Sequence, residues 1–285
     1  MSRVSVVTDS THCLPPELIG ELDIRVAPII LNIEGRSYRD AVDITPSEFY
    51  KLYKELKEIP TTSAVIPGDF IDIFRELGKS TDSIVCLPLS KTLSGSYNSA
   101  VQAREMVKTE LPGISIEIID TKTTTGALGF IVLETARAAQ TGKSLAEVVQ
   151  VAQDMIPRVK FVAALDTLRY LVKGGRAPKA AGLLGDLIQM KPIVGLINLT
   201  DEVEMVTKVR TKRKALAHMV EIAKQYIDPG KPAHVIVQYA DNIEEGEMLR
   251  DMVASELDCE ELYMTEFTPV MCCHTGPLIG LAFYS

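Results

Sequence analysis

Short runs of β-branched and apolar residues alternate with longer amphipathic patterns through the first half of the chain. Strands are predicted by the runs that begin at Val4, Ile24, Ser83 and Ile114. Helices are predicted between and after them, starting at Pro46 behind a capping sequence, at Pro67, at Asn98 and at Gly126. Continuous apolar strands that alternate with helices are typical of a parallel, doubly wound sheet. We therefore predict a parallel α/β domain over residues 1–157.

Two local features of this half bear on a binding site. The run from Ile24 to Ile33 is interpreted as one strand that turns at Glu34-Gly35. The segment from Pro60 to Ser63 is rich in hydroxyl groups and is interpreted as a loop between helices. Taken alone, such a segment is a helix-capping loop more often than a ligand site.

The pattern changes near Ile156-Pro157. Strands are predicted over 159–165, 191–199, 204–210, 234–240 and 261–267, and a tight turn at Asp201-Glu202 joins two of them directly. A direct hairpin pairs its strands antiparallel, unlike the first half. With helices at Lys212–Tyr226 and Glu244–Leu257, residues 158–285 are predicted to form an α+β domain with a mixed or antiparallel sheet. We expect a ligand site at the interface of the two domains.

Composition narrows the classes of function. Of the 285 residues, 46% are hydrophobic and 24% are charged, so the chain can bury a sizeable core. Its formal net charge of −8 argues against a nucleic-acid backbone or an anionic membrane as its main partner. A DNA-binding regulator is also disfavoured because no helix-turn-helix pattern is found.

The cysteines and the apolar runs indicate a cellular compartment. The five cysteines are odd in number and irregularly spaced, which is not a disulfide framework. No apolar run reaches the 18 residues that a membrane span needs, and the first residues are interpreted as a strand rather than a secretion signal. We therefore expect a cytoplasmic protein.

The common sequence motifs for nucleotide binding and for serine catalysis are incomplete or absent in this chain. The G-K-S tripeptides at Gly78 and Gly142 lack the earlier glycine of a phosphate-binding loop, since Ile73 and Arg137 stand there. No G-x-G-x-x-G follows the first strand, and no G-x-S-x-G elbow occurs. A nucleotide or dinucleotide cofactor is therefore not expected.

The sequence Cys272-Cys273-His274 suggests a metal site at first sight. We interpret this segment as a strand, in which adjacent side chains point to opposite faces, and no C-x-x-C pair stands elsewhere to complete a zinc site. No metal is expected.

The segment S-K-T-L-S-G-S-Y, from Ser90, lies between a predicted buried strand and a predicted helix. Ser94 offers a hydroxyl and Gly95 a bare backbone at a helix amino terminus, where free N–H groups attract carboxylate or phosphate. Ligands of doubly wound sheets also bind at this edge. An ordinary helix cap explains the loop equally well, so the loop alone does not decide.

A histidine and an arginine complete the candidate chemistry. His274 lies beside a turn in H-T-G-P, where it can hydrogen-bond a carboxylate, carry a proton or simply support the fold. Arg210 ends a predicted strand in K-V-R-T-K-R-K and is the cation of that run expected to turn inward. Together with Thr62, Ser63 and Ser94, these groups predict an anion-binding cleft between two α/β domains and nothing more specific.

Six short motifs follow one another along the chain in an order that indicates a known family. They are V-x-V-V-T-D-S-T in the first strand, T-S at 62–63, L-S-x-x-L-S-G-[ST]-Y, K-G-G-R, V-R-T-K and H-T-G-P. In this order the chain resembles the DegV family of bacterial fatty-acid-binding proteins over essentially its whole length. The resemblance implies a protein without cofactor or metal that binds one long-chain fatty acid of the C16–C18 class, such as palmitate. The tail then lies in an apolar tunnel and the carboxylate at the domain junction.

The resemblance also assigns site residues. Thr62 and Ser94 match the two hydroxyl residues expected nearest the carboxylate, and Ser63 and Gly95 follow them in the same loops. His274 and Arg210 match the expected contributors to the headgroup network, whereas the K-G-G-R motif, 173–176, is given no direct ligand role. Departures from the family pattern are Ser96 for threonine, A-V-I-P after the T-S motif, and Leu278 where a glycine often stands.

The resemblance implies partners as well. A loaded protein of this kind presents its fatty acid to a separate fatty acid kinase, and the resulting acyl phosphate enters phospholipid synthesis. It implies membrane contact only for ligand exchange. The alternative is a serine-dependent acyl or phosphoryl transferase or hydrolase that uses Ser94 and His274, although no third triad member and no oxyanion motif is identifiable.

Overall fold

A four-stranded parallel sheet organises the first half of the computed structural model, which describes residues 4–177, 182, 189–198 and 202–285. The elements here are β1 (Val4–Asp9), α1 (Pro16–Glu21), β2 (Arg25–Ala27), β3 (Ile30–Ile33), β4 (Arg36–Arg39), α2 (Pro46–Tyr53), β5 (Thr61–Ser63), α3 (Pro67–Leu77), β6 (Ser83–Leu87), α4 (Ser96–Val107), β7 (Ser115–Ile118), α5 (Thr125–Gln140) and α6 (Leu145–Met155). The sheet order is β2-β1-β6-β7, and each neighbouring pair is parallel. The predicted doubly wound parallel sheet is confirmed.

A small antiparallel sheet of β4, β3 and β5 corrects two sequence interpretations. The run from Ile24 is not one strand, because Pro28 has no N–H to donate and β2 and β3 join different sheets on either side of it. The turn at Glu34-Gly35 is confirmed, and both residues have positive φ (46° and 80°), as a tight hairpin requires. The hydroxyl-rich segment is not a loop throughout, since Thr61–Ser63 forms β5 and pairs with β3.

A six-stranded mixed sheet organises the second half. Its elements are β8 (Lys160–Leu165), α7 (Arg169–Lys173), β9 (Lys191–Leu196), β10 (Glu204–Val209), α8 (Lys212–Tyr226), β11 (Ala233–Tyr239), α9 (Ile243–Glu256), β12 (Cys259–Glu266), α10 (Pro269–Thr275) and β13 (Leu278–Tyr284). In the order β10-β9-β8-β13-β11-β12, β11 and β12 are parallel and the other four neighbouring pairs are antiparallel. The predicted hairpin pairing of β9 with β10 is confirmed, although Asp201 of its turn lies outside the described residues.

Helix α5 lies between the two sheets. Twelve of its sixteen residues are buried, so it is apolar on nearly every side, as a helix with two packing faces must be. On one side it contacts β1, and on the other it contacts β8, β11 and β13. At Gly126, an added Cβ would lie 2.8 Å from the Cβ of Ala282, so the helix can approach the mixed sheet this closely only without a side chain there. One hydrophobic cluster accordingly runs from Val4 to Tyr284 through both halves.

A polar network also ties α5 to the mixed sheet. Arg137 of α5 donates to both carboxylate oxygens of Glu261 on β12, and His234 and Tyr263 hydrogen-bond the same carboxylate. Partial burial raises the pKa of Glu261, but the hydrogen bonds, led by those from Arg137, outweigh burial and bring the pKa to about 2. Glu261 therefore stays ionised throughout the physiological range. No helix among the described residues is long and apolar enough to cross a membrane.

Two buried aspartates, Asp9 and Asp40, lie near the edge of the parallel sheet where its strands end, and they differ in the number of hydrogen bonds that their carboxyl groups accept. Asp9 accepts hydrogen bonds from the backbone and hydroxyl of Thr11, at 3.0 and 2.6 Å, and from the backbone of Leu89 at 2.7 Å. Asp40 is only 1% exposed, and neither of its carboxyl oxygens has a hydrogen-bond partner of good geometry among the described residues. Burial raises the pKa of Asp40 to about 7, and the nearby Asp9 carboxylate acts in the same direction.

Replacing Asp40 by asparagine is expected to change how stability depends on pH. Between pH 3.8 and about 7 the folded state holds a proton that the unfolded state has lost, so Asp40 makes stability fall as the pH rises through this window. Asp40→Asn lacks this penalty and should exceed the wild type by about 2–4 kcal/mol at pH 8, with little difference near pH 4. Denaturant unfolding at several pH values measures the difference. Asp9→Asn is the comparison: burial raises the pKa of Asp9 as well, but an amide nitrogen cannot accept the hydrogen bonds that its carboxylate accepts, so this variant should gain less stability at pH 8 than Asp40→Asn. An equal effect of Asp40→Asn at both pH values would contradict this assignment.

Candidate functional site

An apolar cavity, partly open to solvent, lies between the two halves of the chain. The parallel-sheet half contributes the residues that follow β6, and the mixed sheet contributes β8, β9 and the start of β13. Most of the wall is apolar, formed by side chains such as Leu89, Leu93, Phe161, Val194, Leu196, Phe267, Val270 and Leu278. This lining suits a largely apolar ligand.

Thr124 and Thr275 line the cavity wall, and so do four further polar side chains, Thr62, Ser94, Arg176 and His274. Thr62 and His274 are hydrogen-bonded, with 2.8 Å between Thr62 Oγ1 and His274 Nε2. Strand β5 carries Thr62 and the last turn of α10 carries His274, so this bond joins residues 212 positions apart in the sequence. Three of these four residues were predicted from sequence; Arg176 was not.

His274 is held as a neutral imidazole. Burial lowers its pKa to about 4, and the positive charge of Arg176 lowers it further. The backbone of Gly174 makes room for the ring, because a Cβ at this position would lie 3.1 Å from His274 Nδ1. At neutral pH the ring therefore offers one N–H donor and one acceptor rather than a charge.

Ser94 has a second role beside its place in the cavity wall. Its hydroxyl accepts a hydrogen bond from the backbone N–H of Ser96 and lies 3.1 Å from the Ser96 hydroxyl, which orders the entry to α4. Ser94 therefore fits both interpretations of the loop. Its hydroxyl orders the start of the helix, as a helix cap does, and it also lines the cavity, as an anion-binding residue would. Gly95 is the residue before α4 and does not line the cavity, and Ser63 is exposed and accepts from Asn32 Nδ2 at 3.1 Å.

The cavity contains a different arginine from the one that the sequence suggested. Arg210 is exposed beyond the end of β10 and is not among the described residues that line the cavity. Arg176 is partly buried, donates from Nε to the Leu93 carbonyl at 3.3 Å and from Nη1 to the Gly174 carbonyl at 2.5 Å, and lines the cavity. Burial lowers its pKa from the ordinary value. Gly175, with a φ of 72°, forms the left-handed turn that directs the chain into Arg176.

A second, open cavity adjoins the mouth of the first, and we call it the vestibule. It shares Thr62, Arg176 and His274 with the apolar cavity and has a volume of about 600 Å³. Its other charged lining residues are Lys57, Glu58, Arg169 and Lys173. No carboxylate of the described chain forms an ion pair with any of its four cations. Four cations and one carboxylate thus lie beside the polar end of the cavity of an acidic protein, and the K-G-G-R motif supplies two of the cations.

The Cys272-Cys273-His274 segment lies in α10, not in a strand as expected from the sequence. Pro269 starts this helix, and both cysteines are buried, which raises the pKa of the Cys273 thiol to about 12. No group of three or more metal-ligating side chains occurs in the described ranges of the chain.

Comparison with known proteins places the chain in a family. Residues 3–285 match the model described as "Uncharacterised protein, DegV family". A DegV domain-containing protein of Caldanaerobacter subterraneus is 38% identical over 79% of this chain and 78% of its own length.

Two solved structures resemble this chain over almost its entire length. A DegV family protein from Thermus thermophilus, described with fatty acid binding, has a TM-score of 0.91 and 32% identity over 99% of both chains. A stearic-acid-binding protein from Eubacterium ventriosum has a TM-score of 0.91 and 28% identity, covering 100% of this chain and 98% of its own. With a family match that spans nearly every residue, the chain belongs to the DegV family.

Proposed function

We propose that this protein binds one long-chain fatty acid, of the C16–C18 class, with the tail in the apolar cavity and the carboxylate at its polar end. The observation that carries the proposal is the Thr62–His274 hydrogen bond at one end of a mostly apolar cavity. Binding of fatty acids by the Thermus and Eubacterium relatives supports the same class of ligand.

The tail supplies most of the affinity. A C16 acid carries about 15 apolar carbons, and burying each contributes about 0.8 kcal/mol, or about 12 kcal/mol before the costs of binding. A hydrogen bond to a charged group contributes only about 1.5–3 kcal/mol. The polar residues therefore mainly orient the ligand, and apolar packing holds it.

The carboxylate contacts are assigned from the positions of the side chains. Thr62 and Ser94 donate their hydroxyls, His274 supports Thr62 as a neutral ring, and Arg176 supplies the positive charge. We assign Ser63 and Gly95 to the support of their loops. Arg210 matches the family motif but lies outside the cavity lining, so Arg176 takes the role of the cation here.

We further propose that the loaded protein presents its carboxylate to a fatty acid kinase, and that the acyl phosphate feeds phospholipid synthesis. Support comes from the vestibule, which opens next to the polar end and whose four cations form no ion pair with a carboxylate of the described residues. A phosphoryl donor and an acyl phosphate are both anionic, so the vestibule favours their approach. The carboxylate is then shallow and the tail deep, and the protein itself holds no nucleotide.

The hydrogen bonds do not favour the alternative of a serine-dependent transferase or hydrolase. His274 pairs with Thr62, whereas the Ser94 hydroxyl pairs with Ser96. A serine nucleophile needs its base within hydrogen-bond reach and a third group to orient that base. No carboxylate among the described residues bonds to His274 in that way.

The proposed location is the cytoplasm, with membrane contact only for ligand exchange. All five cysteines are free thiols, and four of them are buried. Such thiols suit a reducing compartment.

Removing the two hydroxyls is expected to release the fatty acid. The double variant Thr62→Val, Ser94→Ala keeps the apolar wall but leaves the carboxylate with fewer donors, so its dissociation constant should rise about 10- to 100-fold or more. Mass spectrometry of the purified protein, native and after denaturing extraction, measures the bound acid. Ser63→Ala removes a neighbouring exposed hydroxyl and should retain the wild-type load. A wild type that carries no fatty acid and takes up neither palmitate nor oleate would refute the proposal.

Removing positive charges from the vestibule is expected to slow phosphorylation of the bound fatty acid without weakening its binding. The triple variant Lys57→Gln, Arg169→Gln, Lys173→Gln should keep its fatty acid but be phosphorylated at least about tenfold more slowly by a bacterial fatty acid kinase with ATP. A matched triple of exposed lysines outside the vestibule, Lys79, Lys108 and Lys143, changes the net charge equally and should retain the wild-type rate. Equal phosphorylation rates in the two triple variants would show that the vestibule has no part in presentation. A loaded wild type that the kinase never phosphorylates would refute the presentation role but not fatty acid binding.

A further inference from the structure

The floor of the apolar cavity on the mixed sheet is uneven. Ala163 on β8 and Gly195 on β9 are small residues in the cavity wall, and Phe161 on β8 is the one aromatic side chain that a described strand of this sheet places in that wall. Val194 and Leu196 of β9 and Leu278 of β13 also line the cavity, and the Phe161 ring is the bulkiest of the side chains that the sheet contributes. The position of the Phe161 ring therefore determines the shape of the cavity at this point.

The Phe161 ring lies over Gly280 of β13. Phe161 pairs with Ala282, and Gly280 pairs with Ala163, so Phe161 and Gly280 are diagonal neighbours on adjacent antiparallel strands. A Cβ added to Gly280 would lie 2.8 Å from Phe161 Cε2 and 3.0 Å from Cζ. Both distances are shorter than an ordinary contact, so the ring occupies the space that a side chain at 280 would fill.

Nothing in the backbone explains a glycine at position 280. Gly280 lies inside an extended strand and is not among the residues with positive φ, and glycine in a strand interior is unfavourable by itself. Gly276, four residues earlier, differs because its φ of 68° requires a glycine. The close approach of the ring is thus the reason for a glycine at 280.

We infer that Gly280 and Phe161 together set the acyl-chain length that the cavity accepts. This inference rests on the proposed binding of a fatty acid. With glycine at position 280, the Phe161 ring packs flat against the sheet and leaves the space above it to the cavity. A side chain at 280 lifts the ring, and because the sheet closes the other side, the ring moves into the space of the acyl tail.

The distance between the Phe161 ring and a Cβ at position 280 indicates how far the ring must move in Gly280→Ala. To restore an ordinary contact of 3.4 Å from 2.8 Å, the ring must move by at least 0.6 Å, the difference between the two values. Each methylene that loses its place weakens binding by about 0.8 kcal/mol, or about fourfold. The ratio of long to short acids bound by Gly280→Ala should therefore fall by about fourfold for each methylene excluded. Phe161→Leu opens space and should shift the ratio towards longer acids.

The test offers an equimolar mixture of saturated acids from C12 to C20 to the delipidated protein and measures the bound distribution by mass spectrometry. We expect Gly280→Ala to bind shorter acids than the wild type, and Phe161→Leu to bind longer ones. In the Phe161→Leu background, Gly280→Ala should have little further effect, because leucine has no ring atoms over position 280. Gly246→Ala is the matched control: its Cβ would lie 3.0 Å from Tyr239 Cδ1, far from the cavity lining, and its distribution should equal that of the wild type.

The outcomes separate the inference from the function on which it rests. Variants that fold and bind acids with unchanged chain length overturn the inference and leave the proposed function standing. A wild type that binds none of the acids overturns the proposed function itself. Thermal unfolding checks that each variant folds, and if Gly280→Ala does not, the direction of the Phe161→Leu shift decides.

Discussion

Burial of α5 against two sheets at once is the constraint on which the rest of the structure depends. The helix contacts β1 on one side and β8, β11 and β13 on the other, so the two halves of the chain share one apolar core. The ion pair of Arg137 with Glu261 holds the same helix to the mixed sheet from its polar side. Because the halves are fixed by this helix, loops from each meet at one place, and the cavity forms where they meet.

The site divides its physical tasks between two kinds of surface. An apolar wall supplies affinity that grows with the length of the ligand, and a small polar end supplies direction. Burial keeps His274 neutral, so the positive charge at this end comes from Arg176 and from the vestibule beyond it. In the proposed complex with a fatty acid, this division lets the buried tail retain the ligand while the carboxylate stays near the mouth.

Sequence reasoning succeeded where local pattern and long-range structure agree. The strands of the parallel sheet, five of the six strands of the mixed sheet and the helix Lys212–Tyr226 were predicted, whereas β13 was not. Thr62, Ser94 and His274 were named from sequence motifs and line one cavity. It failed where a tertiary contact overrides a local pattern. Thr61–Ser63 becomes a strand only because β3 lies beside it, and the apolar Cys272-Cys273 pair is as compatible with a helix as with a strand. Arg210, named from the family motif, lies outside the described cavity lining, whereas Arg176 lines it, and the turn at Gly175 that directs the chain into Arg176 is visible only in three dimensions.

A crystal structure of the protein with palmitate tests the central claim most directly. The account predicts one acyl chain in the apolar cavity, with a carboxylate oxygen within about 3 Å of both Thr62 Oγ1 and Ser94 Oγ and the guanidinium of Arg176 nearby. It predicts the methyl end away from the vestibule. A cavity that stays empty at saturating palmitate, or a chain bound with its methyl end at Thr62, would contradict the account.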